Sequence, residues 1–506
     1  MKSGRARIEK GIHLPTSIFH PPSSTTDLTE RKLYRHDLAP VPGWLSQKVF
    51  RTLPDVVVRP STSEEVAAVI RYAHEQRLPV TPRAAASTAY YNTVPAQGGI
   101  LLDLNGLRGL VSFDRESETV AVLPATRWLE LDQELRYSHG YAVKTYPTSA
   151  PGATVGGWFN MMGLGVGSLK HGLLADLVTC ADVVLPNGQV VTLTRDSDPP
   201  LSWFAGSEGT LGVVTRLELS VRPMPQAEGH HLIAFRDLNA LQRASLALIG
   251  TSPTPYNLHF AHATFYQVLA KAGFNSQPSN HNPKSETCAE PSRSIRNPKW
   301  AHTLRVDYAG DRDEVMAGAE AVSRLAAAHG GEMLAPALAE EDWADRFSDL
   351  RAKRAGPTLL GAELLLPNDR LAAFATEVER LGRRLGLPIY TYATLARKVG
   401  DVTSFFPADE RQTLSYLLDL SLTRQIMIIG LRLGGRPYGL GAWNTPYLGA
   451  YPPAELAEWR CRKQRLDPLG IMNPGKVYHA PARLPGPLFN LGLAGLFLFR
   501  RVVPRR

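Results

Sequence analysis

Seven glycines fall within 22 residues in the run "PGATVGGWFNMMGLGVGSLKHG", positions 151–172. Neither a regular helix nor a strand suits that density. Glycine costs roughly 1 kcal/mol per helix position and gives a strand no side chain to pack. The run must turn repeatedly, and such turns carry bare N–H groups close to an anion. A second stretch, "GSEGTLGVVT" at 206–215, holds a lone carboxylate, Glu208, just before an alternating apolar pattern. A third loop, Arg83 to Thr88, closes a strand-like run. One such loop alone reads as tight turns. Three in chain order point to one large phosphorylated cofactor touched at several places.

The surrounding patterns give the loops their frame. In "DVVVRPSTSEEVAAVIRYAHEQRLPVTPR", Val56–Val58 read as a strand. Ser61 and Thr62 each have a glutamate three residues on, which is capping-box spacing. Val66, Val69, Ile70 and Ala73 then share one helical face. "GGILLDLNGL" reads as a buried strand, and "TVAVLPATRWLELDQELRYSHG" as a strand followed by a helix ending at Gly140. "DVVLPNGQVVTLT" is a hairpin turning at Asn187-Gly188. From Met224 onward, strands such as "HTLRVDYAG" and "PTLLGAELLLP" alternate with helices in "DEVMAGAEAVSRLAAAHGG" and "DRLAAFATEVERLGRRLG". That alternation predicts a second domain, an antiparallel sheet backed by helices. "NSQPSNHNPKSETCAEPSRSIRNPKW" inside it reads as a polar insertion.

Composition narrows the class. A chain of 506 residues has room for two or three domains. Cys180, Cys288 and Cys461 are far apart, so they make neither a disulfide framework nor a cluster site, and a reducing compartment is expected. The net charge of +9 sits mostly at the ends: +3 in residues 1–10 and +5 in residues 481–506. A nucleic-acid face needs charge within the fold, so that partner is excluded. The N-terminal basic residues precede no apolar run, and no secretory signal is expected. The C-terminal "LFNLGLAGLFLFRRVVPRR" is too short to span a bilayer, which takes ~20 apolar residues. It suits an interfacial helix whose Arg500, Arg501, Arg505 and Arg506 meet anionic headgroups at about 1 kcal/mol each. The other reading is a helix packed on the body of the protein.

Together, "PDVVVRPSTSEEVAAVIRYA", "GGILLDLNGL", the 151–172 run, "DVVLPNGQVV", "GSEGTLGVVT" and the late "RLDPLGIMNPGKVY" resemble the vanillyl-alcohol oxidase superfamily. Within it, the chain is similar to the flavoprotein subunits of glycolate oxidases and D-lactate dehydrogenases. The resemblance implies an α+β fold: a two-subdomain, PCMH-type FAD-binding domain and an antiparallel-sheet-plus-helices substrate (cap) domain. It divides the chain into an extension at 1–45, the FAD-binding domain at 46–223 and the substrate domain at 224–450, with the insertion near 274–300. A return segment at 451–480 and an apolar-basic tail at 481–506 follow. The implied FAD contacts are Arg83, Ala84, Ala85, Ala86, Ser87 and Thr88; then Pro147, Thr148, Gly152, Ala153, Thr154, Gly157, Trp158, Gly165, Ser168 and Gly172; then Glu208, Gly212, Val213 and Val214. Glu208 is expected to order its turn by accepting backbone N–H bonds.

Departures from the family pattern carry information. The family's Arg-Gly-x-Gly-Thr-Ser loop is here Arg83-Ala84-Ala85-Ala86-Ser87-Thr88. Either its φ angles are all negative or it stands slightly off the phosphates, with Ser87 and Thr88 still offering hydroxyls. It holds no histidine to tether the flavin, so FAD is expected to be non-covalent. Trp158 stands where the family places an amide; it stacks on the flavin, walls the pocket or fills core. The two metal-binding segments of relatives become "YATLARKVGDVTSFF" and "GGRPYGLGAWNTPYLG", without their histidines, so no catalytic metal is expected. Arg397, Lys398 and Arg436 are then the candidate cations for an acidic substrate, with Tyr392, Tyr438 and Asn444 as polar neighbours.

The expected activity is a dehydrogenase for a 2-hydroxy acid or related alcohol. Its electrons would go to an iron–sulfur partner protein or a quinone, with peripheral contact at the cytoplasmic face of the membrane. An oxygen-using oxidase of the same fold and a non-catalytic flavoprotein subunit are the alternatives.

Overall fold

The computed structural model describes residues 23–39, 42–272, 302–478 and 486–500. The polar insertion near 274–300 and the N-terminal basic cluster lie outside them. The chain forms two compact units: Met1–Gly165, His171–Met224 and Pro437–Leu491 in the first, and Val166–Lys170, Pro225–Arg436 and Gly492–Arg506 in the second.

The first unit holds two sheets. One runs β1 (Ser24–Thr25), β2 (Val56–Val58), β4 (Ile100–Asp103), β3 (Val80–Arg83), with β2, β4 and β3 parallel. Helix α1 (Ser63–Gln76) connects β2 to β3. Thr62 caps it by accepting from Glu65 N, and its apolar face buries Val66, Val69, Ile70 and Ala73 against β2 and β4. The other sheet has β5 (Leu110–Asp114), β6 (Thr119–Val122), β10 (Val213–Pro223), β8 (Val178–Val184) and β9 (Val190–Leu193) in that order, with β7 (Tyr141–Val143) also pairing β10. The Asn187-Gly188 turn joins β8 to β9, with Gly188 at φ +81. Short helix α2 (Val155–Phe159) lies inside the glycine-rich run.

The second unit is one eight-stranded sheet. Its members are β11 (Ala227–Phe235), β12 (Asn257–His262), β13 (His302–Gly310), β14 (Glu332–Met333), β15 (Thr358–Pro367), β16 (Tyr390–Leu395), β17 (Val399–Ala408) and β18 (Arg436–Pro437). The order across the sheet is β14-β11-β13-β12-β16-β17-β15-β18. The helices are α3 (Leu238–Ile249), α4 (Ala263–Lys271), α5 (Arg312–Ala328), α6 (Pro336–Ala344), α7 (Leu371–Leu385) and α8 (Thr413–Arg432). Alternation assigns the two faces. One presents Leu304, Val306, Tyr308, Phe260 and Leu364, and it packs closely on Gly318 of α5 and Gly430 of α8. The opposite face carries a polar row. In register across it lie Arg305, His259, Thr394 and Asp401, and beside them Thr303, Tyr392, Thr403 and Glu363. By length and composition α8 could cross a bilayer (mean hydropathy 1.3), but 61% of that stretch is buried in the structure.

After β18 the chain returns to the first unit through α9 (Pro453–Leu466). The sequence division placed residues up to 450 with the second domain; here Pro437–Leu491 groups with the first unit. Backbone bonding explains this. Ala442 N and Trp443 N donate to Tyr90 O, and Val477 N donates to Gly441 O. Ile471–Asn473 closes the free edge of β3: Val80 N donates to Ile471 O at 2.8 Å, and Asn473 N to Val80 O at 2.7 Å. The last helix, α10 (Gly486–Arg500), ends the described chain.

Candidate functional site

Glu208 explains the first unit's organisation. It is buried, with its backbone in the left-handed region at φ +52. Its carboxylate accepts from Leu440 N and Gly441 N, both at 2.7 Å, and from Asn92 Nδ2 at 2.6 Å. Burial pushes its carboxyl up to about 7, while the three N–H donors and Lys476 pull the other way. The sequence reading had Glu208 ordering its own turn; its N–H donors instead come from two distant segments. Asn92 in turn accepts from the Thr88 hydroxyl at 2.6 Å. A relay thus runs from loop 83–88 through Asn92 and Glu208 to the 438–444 segment.

The turn is held from a third side by the end of α2. Asn160 Oδ1 accepts from Ser207 Oγ and Gly209 N, and Asn160 O accepts from Glu208 N. The three loops singled out from the sequence are therefore bonded together within one unit. The turn itself leaves no room for side chains. Gly209 sits at φ +69, and a Cβ there would come within 2.6 Å of Pro82. The late "LDPLGIMNPGK" run fastens the same turn. Lys463 Nζ donates to Thr210 O, Asp467 and Met472 O, and Asn473 Nδ2 donates to Glu208 O at 2.8 Å.

Loop 83–88 answers the alanine question. Ala86 stands at φ +53, the conformation a glycine takes freely and an L-residue enters at a cost of ~1 kcal/mol. The turn is kept and the methyl is tolerated, so the expectation of negative φ throughout does not hold. Arg83 donates to His36 O at 2.9 Å and lies over the Tyr34 ring, which braces the loop. Thr88 spends its hydroxyl proton on Asn92, which leaves Ser87, exposed at the tip, as the loop's hydroxyl donor.

These loops fit FAD. Arg83–Thr88 and Pro147–Gly157 contain no acidic residue. Ser87, Gly152 and Gly157 are exposed backbone. A Cβ on Gly152 would meet nothing nearer than Ser149 O at 3.9 Å, so another molecule's atoms can approach bare amide there. Pro147, Ala153 and Thr154 are buried behind that surface, with Thr148 partly exposed; Thr154 caps α2 by accepting from Gly157 N. Gly165, Gly212, Val213 and Val214 are buried, and Gly172 turns at φ +92. Ser168 is buried and groups with the second unit. Trp158 is a core residue, 6% exposed and edge-on to Trp128 at 5.2 Å, and its Nε1 donates to Tyr438 Oη at 3.1 Å. Asn444 donates to Gly439 O and holds the turn after Tyr438.

The remaining candidates lie in the second unit. Arg397 and Lys398 are exposed at the tip of the β16–β17 hairpin, and Arg436 opens β18. Tyr392 is on the polar face, packed near Phe265 and Tyr390. Sequence reading missed the groups around it. Glu363 and Asp401 are hydrogen-bonded to one another. Burial raises both carboxyls. The charge on Glu363 raises Asp401 further, whereas the bond from Asp401 holds Glu363 lower. A charge on one of these carboxyls therefore disfavours a charge on the other. Asp401 Oδ1 has no hydrogen-bond partner among the described residues. Asp349, buried near Arg305, is pushed up to about 7. Arg305 is saturated by Asp307 at 3.1 Å and Asp342 at 2.6 Å. Burial, with Arg305 beside it, takes His259 down to about 4, so it is neutral.

The chain matches the FAD binding domain family over residues 54–194 and the C-terminal domain family of FAD linked oxidases over 225–477, half its length. It belongs to the FAD-linked oxidase family. The chain is 23% identical over 475 residues to the glycolate oxidase subunit GlcD of Bacillus subtilis, covering 90% of its own length and 93% of the relative's. It is 26% identical over 446 residues to the mitochondrial D-lactate dehydrogenase [cytochrome] of Arabidopsis thaliana, covering 84% and 73%. Among solved structures it resembles p-cresol methylhydroxylase with substrate bound (TM-score 0.76, 16% identity, 95% of this chain and 98% of that one). It also resembles alkyldihydroxyacetonephosphate synthase (TM-score 0.71, 17% identity, 94% and 84%). The fold shared with these neighbours is a mixed sheet-and-helix one, an FAD-binding domain followed by a sheet-and-helix domain. The cofactor is FAD, and the chain is an oxidoreductase of the GlcD and D-lactate dehydrogenase type.

Proposed function

We propose that this chain is a dehydrogenase oxidising the CH–OH group of a 2-hydroxy acid to a carbonyl, with FAD held non-covalently. The observation that supports it most is the bonding of the three cofactor loops to one another through Asn92, Glu208 and Asn160 in the first unit. Bound FAD supplies the hydride acceptor. The hydroxyl proton needs a base poised near neutral pH. In the second unit, Glu363 and Asp401, two neighbouring carboxyls both raised by burial, are the candidates for it. Tyr392 flanks Thr403 on the row that carries Glu363, and burial together with Asp349 keeps its phenol protonated. Arg397 and Lys398 lie three to four residues from Asp401, ~10 Å along an extended strand. A small acid lying between can bridge that distance, which suits their exposed cationic side chains to hold its carboxylate. The relatives' names, glycolate oxidase and D-lactate dehydrogenase, agree with a small hydroxy acid.

The test is anaerobic. Addition of D-lactate, glycolate or a longer 2-hydroxy acid is expected to bleach the flavin absorbance. Bleaching by simple alcohols and by none of the acids overturns the assignment. Reoxidation by an artificial dye or quinone is expected to outpace reoxidation by oxygen, in line with electrons leaving to a partner protein or quinone.

Two results follow for the cofactor. Acid or heat denaturation is expected to release FAD to the supernatant, since Arg83–Thr88 offers no histidine for a covalent link. Yellow precipitate with a colourless supernatant contradicts this. Chelator treatment is expected to leave turnover unchanged, because the proton acceptor is a carboxylate pair and the cations are Arg397 and Lys398.

A further inference from the structure

Among the described residues, α10 leaves an apolar stripe open. Every residue from Leu491 to Phe499 is apolar, glycine or alanine. Two faces of the helix differ sharply. Leu493 and Arg500, seven apart on one face, are each 5% exposed. Arg500 Nε donates to Asp419 Oδ1 of α8 at 3.0 Å, and Asp419 is 2% exposed. This buried ion pair, within the second unit, fixes the helix's rotation about its axis. Leu491, Leu498 and Phe499, at i, i+7 and i+8, then face outward and are 69%, 61% and 53% exposed. Gly492 and Gly495 lie between them on the same stripe and are also exposed. A helix that merely covered the body would carry polar side chains there.

We propose that this stripe is an anionic-lipid docking surface, with α10 lying in the plane of the interface. The chemistry of the flanking sequence selects the partner. No acidic residue occurs after Asp467, and Arg501, Arg505 and Arg506 follow the helix directly. An apolar stripe whose following sequence carries cations and no acid matches acyl chains beneath negative headgroups. At 15 residues the helix is too short to span, and its inner face is already committed. The sequence reading counted Arg500 among the headgroup contacts. The structure removes it from that set, because Asp419 holds it, and gives it the task of aiming the stripe.

The test uses the full FAD-loaded chain and sedimentation with vesicles of phosphatidylcholine, with and without phosphatidylglycerol. The chain is expected to bind the mixed vesicles and to bind neutral ones far less. The triple variant Leu491→Ser, Leu498→Ser, Phe499→Ser is expected to lose on the order of 100-fold in affinity for the mixed vesicles. Its flavin content and melting temperature stay unchanged, since all three side chains are exposed. Replacing Arg501, Arg505 and Arg506 by serine is expected to abolish the preference for anionic vesicles. Equal binding by wild type and triple variant overturns the proposal, as does equal binding to neutral and anionic vesicles. If size exclusion shows a wild-type dimer that the triple variant loses, without vesicle binding, the stripe joins two copies instead and the lipid proposal fails.

Discussion

Replacing Asp401 by asparagine is expected to lower turnover by roughly 10²–10⁴-fold, the usual worth of a positioned acid or base. The reasoning is chemical. Asparagine keeps an N–H to donate to Glu363, so the geometry survives, but it removes the titrating carboxyl beside Glu363. Glu363→Gln is expected to lose as much, because it removes the acceptor itself. KM for the hydroxy acid stays within a few-fold, since the carboxylate is assigned to Arg397 and Lys398. The pH profile is the sharper readout. Burial raises Glu363 above the usual carboxylate range, so it acts as a base only once deprotonated, and turnover climbs as pH rises above that range. In Asp401→Asn the neighbouring acid is gone, and an amide N–H, a weaker donor than a carboxyl O–H, takes its place beside Glu363. The rising limb then moves. Turnover within a few-fold of wild type in both variants, with an unmoved pH profile, removes the pair from the chemistry.

Glu208→Gln is expected to cost the first unit about 2–4 kcal/mol and most of its bound flavin. All three groups around the carboxylate are N–H donors: Leu440 N, Gly441 N and Asn92 Nδ2. A glutamine turns one acceptor oxygen into an NH₂, so at least one donor meets another donor in a buried place. Asn92 then loses its anchor, and Thr88 of the cofactor loop loses the group that holds it. The measurements are flavin retained after gel filtration and the midpoint of thermal unfolding followed by flavin fluorescence. Glu208→Asp separates charge from reach: it keeps the acceptors but is one methylene short, and is expected to be intermediate. An unshifted midpoint in Glu208→Gln means that the relay carries no stability.

Much of this was legible in the sequence because the signals were local. The Thr62 cap, the 3.6-residue face of α1, the Asn187-Gly188 hairpin and the alternation in "PTLLGAELLLP" each concern neighbours in the chain. The glycine-rich turns announced themselves by composition. What stayed hidden was long-range pairing. "HTLRVDYAG" shows plainly that Thr303, Arg305 and Asp307 share a face. Nothing in it says that β12, β16, β17 and β15 extend that face to Asp401 and Glu363. Glu208 finds its backbone donors 232 and 233 positions away, and Arg500 finds Asp419 81 positions earlier. Helix α8 escaped notice for another reason: "TLSYLLDLSLTRQIMIIGLR" is apolar on most sides, so it shows little helical periodicity. Trp158 was weighed as a flavin neighbour because of its alignment to a family amide. Its burial against Trp128 makes it a packing residue, and an amide appears two positions later, at Asn160, bracing the turn.

The closing of β3 by Ile471–Asn473 has a consequence for how the protein is made. A ribosome delivers Arg83–Thr88 and Gly206–Gly212 long before it delivers residues 471–473. Until then β3 has an unpaired parallel edge, and the Glu208 turn lacks Lys463 and Asn473. Flavin capture therefore waits for the stretch from Lys463 to Asn473 to be made. A message cut short before codon 471 yields a chain with an open strand edge, the kind of surface that chaperones retain and that aggregates join, in place of a flavoprotein.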